Sequence, residues 1–142
     1  MLVHLSKKYD HVAVCIGYEL GLSKRLKQAS DLWLNNPRVP REASGTSGMT
    51  AAMNGAVNCS TNDGWICEFI NHGNNGYENI SVHEQDEYDL NKLYEILENQ
   101  VLPLYYDNPE VWREITKNGM RDVRWQFDSN RMAKEYYEIL YK

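Results

Sequence analysis

Residues 42–49 of this 142-residue chain combine the side chains that could do chemistry. They read EASGTSGM, a carboxylate followed by hydroxyl residues that alternate with glycines. Glycine lets a backbone approach a ligand closely, and the amide groups at the start of a following helix favour a phosphate. The carboxylate of Glu42 can accept hydrogen bonds from sugar hydroxyls. The segment therefore predicts a cradle for a sugar and an anion, although an ordinary glycine turn before a capped helix is an alternative reading of the same residues.

The elements that would position this cradle read as alternating strands and helices. Short apolar runs at residues 11–17, 31–34 and 56–60 are typical of strands buried in a parallel sheet. Apolar residues at helical spacing predict one helix over residues 18–28, and a second is predicted over 49–57, directly after the cradle. The first half of the chain is therefore predicted to be α/β.

The second half reads as helical. Residues 86–101 carry one apolar face and are predicted to form a helix that stops before Pro103. Asn108 is a good cap for the next helix, which Gly119 is predicted to end. A last helix is predicted from about residue 130 to 141. We therefore expect an α/β part over residues 1–85 and a helical C-terminal segment of the same domain over residues 86–142.

Composition excludes several classes of protein. Hydrophobic residues make up 42% and charged residues 25%, as in folded soluble chains, and the net charge is −5 without a long basic run, which argues against a nucleic-acid partner. No 18-residue apolar run indicates a membrane helix. Three cysteines without a paired spacing favour reduced thiols in a cytoplasmic protein, and no metal site is predicted. Residues 51–100 hold nine acidic side chains against one basic, which is typical of a solvated face.

Three motifs in register carry a family resemblance. The run EASGTSGM is followed by AAMNGAVN and then by the Asp63-Gly64-Trp65 triplet. Together they resemble the α-glucan phosphorylase family, which includes glycogen, starch and maltodextrin phosphorylases, and they look closest to its short bacterial and archaeal branch. Residues 97–106 and 127–136 are similar to further family patterns, so the resemblance covers about residue 11 to the C-terminus.

The resemblance implies a fold, a reaction and a set of partners. The family has the GT-B architecture, in which two Rossmann-like halves face each other across a cleft, and this chain would be a C-terminal fragment of the second half. Its partner would be the missing N-terminal GT-B domain. The family transfers glucose, with retention of configuration, between an α-1,4-glucan and phosphate, which yields glucose 1-phosphate. Its cofactor is pyridoxal phosphate.

The resemblance also assigns roles to individual residues. Glu42, Ser44 and Gly45 would hold the transferred glucose, whereas Tyr18, Gly45 and Thr46 would lie at the phosphate of the substrate or the cofactor. From the residues alone, a core tyrosine on a helix stripe is the favoured interpretation of Tyr18. Thr46 could equally be only a cap, and Ser44 only a turn residue.

One departure from the family pattern concerns the cofactor. The family has a lysine after Gly-Met, where this chain reads SGMTAAMNG and places Thr50. A threonine cannot form the imine that anchors pyridoxal phosphate. Ile16 and Gly17 also replace a polar pair of the family. Pyridoxal phosphate is therefore expected from the family but put in doubt by Thr50.

Three functions follow as alternatives. The first is part of a phosphorylase-like retaining glucosyltransferase of carbohydrate storage, with the enzyme status of this chain alone left open. The second is a glycogen synthase-like glucosyltransferase that uses a nucleotide sugar and no pyridoxal phosphate. The third is a non-catalytic glucan-binding or regulatory protein.

We further expect Trp112, Trp125 and the tyrosine-rich C-terminal end to expose apolar surface, which would favour self-association, such as a homodimer.

Overall fold

The computed structural model of the chain describes residues 2–79 and 86–141. Its strands are β1 (Leu32–Asn35), β2 (Val57–Thr61) and β3 (Gly76–Asn79). Its helices in the first half are α1 (Leu2–Lys8), α2 (Leu20–Ala29), α3 (Thr46–Met53) and α4 (Ile66–Phe69). Those in the second half are α5 (Asp86–Ile96), α6 (Leu102–Asp107), α7 (Pro109–Gln126) and α8 (Ser129–Ile139), with a π-helical turn (Leu97–Val101) between α5 and α6.

The three strands form a parallel sheet in the order β1-β2-β3. Leu32 pairs with Val57 and Asn58 pairs with Gly76, so the strands run in step from one edge to the other. Every residue of the central strand β2 is buried, because α3 and α7 pack against it. A mixed α/β chain with parallel strands is therefore confirmed.

Two apolar clusters form the core. The first joins the sheet to the helices of the second half and contains Val57, Cys59, Tyr77, Leu93, Ile96, Val101, Trp112 and Ile115. The second lies beneath α3 and contains Ala52, Trp65, Ile66, Phe69 and Val123. Both clusters draw residues from either side of residue 85, so the α/β part and the helical segment share their core.

The strand predicted at residues 11–17 is wrong. These residues form no strand, and Ile16 is 81% exposed. A strand buried on both faces needs neighbours that accept its hydrogen bonds and cover its side chains. Among the described residues β1 pairs only with β2, so nothing pairs with residues 11–17.

The helix after the cradle begins and ends earlier than predicted. It starts at Thr46 rather than residue 49, because Gly45 has a φ of +96° and acts as its N-cap. It ends at Met53, because Gly55 has a φ of +93°, which no helix can continue. The residues beyond this break are free to enter β2.

Two predicted helix ends in the second half are wrong. The chain stays helical through Pro103, because the π-helical turn lets the Leu102 amide donate to the Leu97 carbonyl just before the proline. Gly119 lies inside α7 and is buried. A Cβ there would stand 3.1 Å from the Asn75 carbonyl oxygen, so this glycine serves close packing.

The aromatic residues of the second half divide into buried and exposed groups. Trp112 is only 8% exposed and belongs to the core, so its predicted exposure is wrong. Trp125 is 71% exposed, and α8 buries none of its residues, so the tyrosine-rich end does expose apolar side chains. Self-association through this surface stays a prediction. Across residues 2–79 and 86–141, no helix has the length and apolar character needed to cross a membrane.

Candidate functional site

The cradle loop (residues 42–48) leads into α3 through Gly45. The left-handed conformation of Gly45, with φ at +96°, turns the chain so that the next amides point out of the helix start. No side chain caps this helix, and within the described part of the chain the amides of Thr46 and Ser47 donate no hydrogen bond to a protein acceptor. The start of α3 therefore presents free donors and the positive end of the helix dipole.

The carboxylate of Glu42 lies directly over Gly45. A Cβ built on Gly45 would stand 2.8 Å from the Glu42 Oε1 atom and 3.1 Å from Trp65 Cδ1, and the φ of +96° itself favours glycine. Glu42 is half-buried, whereas Ser44 and Thr46 are exposed. The structure thus brings Glu42, Ser44, Gly45 and Thr46 together, with an acceptor carboxylate beside free amide donors.

A turn at residues 63–65, the DGW turn, holds the cradle loop from below. The Glu42 amide donates to Asp63 Oδ2 at 2.9 Å, and the Trp65 amide donates to the Ser44 carbonyl oxygen at 2.8 Å. Gly64 has a φ of +64°, and a Cβ there would approach the Ser44 carbonyl oxygen to 2.6 Å. The two backbones are therefore in direct contact.

Asn58 and Trp65 also support the cradle from the core side. Gly48 is buried in α3, and a Cβ there would stand 2.8 Å from Asn58 Oδ1 and 2.9 Å from Trp65 Nε1. The Asn58 amide nitrogen donates to the Gly48 carbonyl oxygen at 3.2 Å. The sequence predicted no role for either supporting residue, although Asn58 ends the AAMNGAVN motif and Trp65 ends the DGW triplet.

Tyr18 makes no hydrogen bond to the cradle loop among the described residues. It is 81% exposed in the segment before α2, where it lines a hollow together with Cys15, Leu26 and Trp33. Its placement at a phosphate stays a prediction.

Thr50 occupies the exposed face of α3 one turn after Thr46. Its hydroxyl donates to the Thr46 carbonyl oxygen at 2.9 Å, and Asn54 donates to the Thr50 carbonyl oxygen at 2.8 Å. The hydroxyl is thus bonded within its own helix, and it offers no amine that could condense with an aldehyde. The residues present do not fit a pyridoxal phosphate held through an imine at this position.

Two titratable groups outside the cradle have shifted pKa values. Burial in the core raises the pKa of the Cys59 thiol to about 11. Glu19 caps α2 by accepting hydrogen bonds from the amides of Gly21 and Leu22, which lower the pKa of its carboxyl. All three cysteines are free, and within residues 2–79 and 86–141 no group of three or more His, Cys, Asp or Glu side chains could hold a metal ion.

Comparison with known proteins shows which proteins the chain is similar to. The chain is 40% identical over 138 residues to a maltodextrin phosphorylase of Thermococcus litoralis and 38% identical over 138 residues to a glycogen phosphorylase of Aquifex aeolicus, matches that cover 93% and 92% of it. It is 42% identical over 143 residues, 99% of its length, to an uncharacterized protein of Methanocaldococcus jannaschii. No family model matches the chain.

These matches confirm the family resemblance: the chain corresponds to a C-terminal portion of the α-glucan phosphorylase family. In particular, it is similar to maltodextrin and glycogen phosphorylases along more than nine tenths of its length. The chain spans only 16% of the maltodextrin phosphorylase, 20% of the glycogen phosphorylase and 27% of the uncharacterized protein.

Proposed function

We propose that this chain supplies the glucosyl- and phosphate-binding part of a retaining glucosyltransferase that moves glucose between an α-1,4-glucan and phosphate. One observation carries the proposal: the Glu42 carboxylate lies against Gly45, beside the uncapped start of α3. The similarity to maltodextrin and glycogen phosphorylases supports it. The GT-B architecture belongs to this proposal, with the opposing half of the cleft supplied by an N-terminal domain.

The two ends of the cradle bind different groups, the glucose at one end and the phosphate at the other. Glu42 accepts hydrogen bonds from hydroxyls of the transferred glucose, with the Ser44 hydroxyl and the Gly45 amide as further contacts. The amides at Gly45 and Thr46 bind the phosphate, because free N–H groups and the helix dipole both favour an anion. Holding the sugar and the phosphate side by side turns their encounter into a reaction within one complex, which lowers its entropic cost. Tyr18 would join the phosphate end of the site.

Covalent pyridoxal phosphate is not part of this proposal. Thr50 stands at the lysine position, and its hydroxyl already donates to the Thr46 carbonyl oxygen. We therefore assign no step of the reaction to the cofactor. Thr50→Lys in the full-length protein should create an imine absorbance band with added pyridoxal phosphate that borohydride removes. Such a band in the unchanged protein would contradict this assignment.

Because Thr50 stands where the family has a lysine, a second candidate function is glucan binding without turnover. A nucleotide-sugar transferase that uses no pyridoxal phosphate has weaker support. Enzymes of that kind are similar in having two glutamates separated by seven residues. Glu42 and Thr50 have this spacing, but a threonine stands at the second position here.

We further propose that the protein is cytoplasmic and that its apolar C-terminal end pairs with another surface, either the opposing domain or a second copy.

Phosphorolysis separates these candidates. The natural full-length protein, given maltoheptaose and phosphate, should release glucose 1-phosphate. Glu42→Gln should reduce the rate at least a hundredfold, because the glutamine loses the charge that strengthens its hydrogen bonds. Glu68→Gln, an exposed position on α4, is the matched control and should leave the rate unchanged. Glucan extension from ADP-glucose or UDP-glucose would favour the nucleotide-sugar enzyme, and maltoheptaose binding with neither activity would favour the binding protein.

A further inference from the structure

The DGW turn lies against the backbone of the cradle loop at the residue that carries the Glu42 carboxylate. The turn contacts the cradle loop at both ends of a three-residue stretch: Asp63 accepts the Glu42 amide at 2.9 Å, and the Trp65 amide donates to the Ser44 carbonyl oxygen at 2.8 Å. The second oxygen of Asp63 accepts the Gly64 amide at 2.9 Å. Both carboxylate oxygens of Asp63 are therefore committed to backbone amides, one of them in the cradle.

Gly64 lets the two segments touch. A Cβ at this position would stand 2.6 Å from the Ser44 carbonyl oxygen and 2.9 Å from the Glu42 Cγ atom. The first of these is backbone, which cannot rotate away. The stem of the Glu42 side chain thus lies across Gly64, while its carboxylate lies across Gly45.

Trp65 connects this contact to the core. Its ring is buried, stacks on Phe69 at 4.6 Å between centroids and meets Phe127 edge-on at 5.2 Å. Its Cδ1 atom lies 3.1 Å from where a Cβ on Gly45 would be. A rigid aromatic cluster therefore supports the turn, and the turn supports the carboxylate.

We propose that Asp63 and Gly64 are positioning residues for Glu42, acting through the cradle backbone to hold its carboxylate at the place where a glucosyl hydroxyl would donate to it. The inference rests on the proposed function for the identity of the ligand. It assigns the sugar end of the cradle to the DGW turn. The phosphate end at the start of α3 depends less on Asp63 and Gly64, because α3 also packs on the sheet, on α7 and on the Trp65 ring.

Selective loss of sugar binding tests the positioning role. We expect Gly64→Ala and Asp63→Ala to raise the Kd for glucose roughly five- to tenfold, the effect of about one net hydrogen bond. The Kd for inorganic phosphate should change less than twofold. Asp63→Asn keeps the shape and one acceptor, so it serves if Asp63→Ala does not fold. An equal loss of both affinities in a folded variant would mean general destabilisation and would overturn the proposal.

Two substitutions elsewhere serve as matched controls. Gly73 has a similar left-handed conformation, with φ at +75°, but a Cβ there would meet no atom within 4 Å, so Gly73→Ala imposes the same backbone strain without the clash. Asp122, on α7, likewise accepts a hydrogen bond through its carboxylate, from the Asn75 amide nitrogen at 3.1 Å. Gly73→Ala and Asp122→Asn should leave both dissociation constants at their wild-type values. Changes equal to those of the DGW variants would overturn the proposal.

Amide hydrogen exchange at residue 42 makes the test independent of ligand binding. Asp63→Ala should accelerate exchange of the Glu42 amide at least tenfold, whereas Asp122→Asn should not change it. If the wild-type chain binds neither glucose nor phosphate, the proposed function fails, and the exchange rate still decides the positioning role. Unchanged exchange at residue 42 in folded Asp63→Ala and Gly64→Ala would overturn it.

Discussion

Two stretches that the family resemblance assigns to one site are held very differently. Around the cradle, the supports at Gly48, Asn58 and Trp65 are all buried, and they pack so closely that the glycine could not gain a methyl group. In residues 3–34, by contrast, no side chain is buried, and Tyr18 is 81% exposed. The core of this chain thus supports the cradle loop closely, whereas the tyrosine that the family resemblance assigns to the same site is exposed.

Thiol labelling gives the largest contrast between the two stretches. At pH 8 a thiol with a pKa of about 11 is ionised in only about one molecule in a thousand, and Cys59 is also buried. We expect iodoacetamide to modify the exposed Cys15 while Cys59 remains unmodified until the chain unfolds. Peptide mass spectrometry of the native and the urea-unfolded chain measures both. Equal labelling of both cysteines in the native chain would remove the contrast.

The cost of truncating an aromatic side chain, measured as a loss of unfolding free energy, should differ by several kcal/mol between the two stretches. Trp65→Ala removes a buried ring that packs on two phenylalanines, and we expect it to lower the free energy of unfolding by about 3–5 kcal/mol. Tyr18→Ala and Trp125→Ala, at two exposed positions, should each change it by less than about 0.5 kcal/mol. Urea unfolding followed by circular dichroism is the measurement. A cost near 3 kcal/mol for Tyr18→Ala would show that residues 3–34 are held as firmly as the cradle.

Replacing each of two helical glycines by alanine should change the free energy of unfolding differently. Gly48→Ala overpacks the contact with Asn58 and Trp65, and we expect a loss of about 1–3 kcal/mol in unfolding free energy. Gly21→Ala in α2 meets only the Glu19 carboxylate, which must shift by a few tenths of an ångström within its cap, so the higher helix propensity of alanine should give a change between zero and a gain of about 1 kcal/mol. Thermal unfolding of the two variants side by side tests the pair. A stabilised Gly48→Ala would contradict the close packing beneath the cradle.

The smallest effect is a pH dependence confined to α2. Because hydrogen bonds from two amides lower the pKa of Glu19 in the folded chain, its contribution to stability is present above the unfolded pKa and is lost as the pH falls through the folded pKa. Glu19→Gln should therefore speed amide exchange in α2 at pH 7. Below the folded pKa, the variant and the wild type should exchange alike. A difference that persists there would exclude the charge as the cause.

The sequence predicted the cradle better than its surroundings. Glycines next to a carboxylate constrain the local backbone, and the structure has the Glu42 carboxylate against Gly45 at the uncapped start of α3. The sugar and phosphate roles of residues 42, 44, 45 and 46 stay predictions. The strand predicted at residues 11–17 failed because apolar composition cannot reveal whether a neighbouring strand exists to pair with it. Local signals at Pro103 and Gly119 failed for a related reason: a π-helical turn and a close packing contact overrode them.

The supports of the cradle could not be read from composition or periodicity. Asp63 and Trp65 lie about twenty residues after the loop that they hold. Their roles depend on hydrogen bonds with the backbone of that loop, one accepted by the Asp63 carboxylate and one donated by the Trp65 amide, which no local residue pattern encodes. The DGW triplet was visible only as part of the family motif. A long-range contact of this kind becomes apparent once β2 and α3 place the two segments side by side.

An NMR titration of the ¹⁵N-labelled chain with glucose 1-phosphate tests the central claim most directly. We predict saturable amide shifts at residues 45–47 and at Glu42, which weaken in Glu42→Gln, while Gly73 stays unchanged. Amides around Tyr18 should shift much less, because the Tyr18 side chain is exposed and no hydrogen bond of the described residues joins it to the cradle loop. Shifts confined to residues 11–26, or none at residues 45–47 up to tens of millimolar ligand, would contradict a preformed cradle for sugar and phosphate.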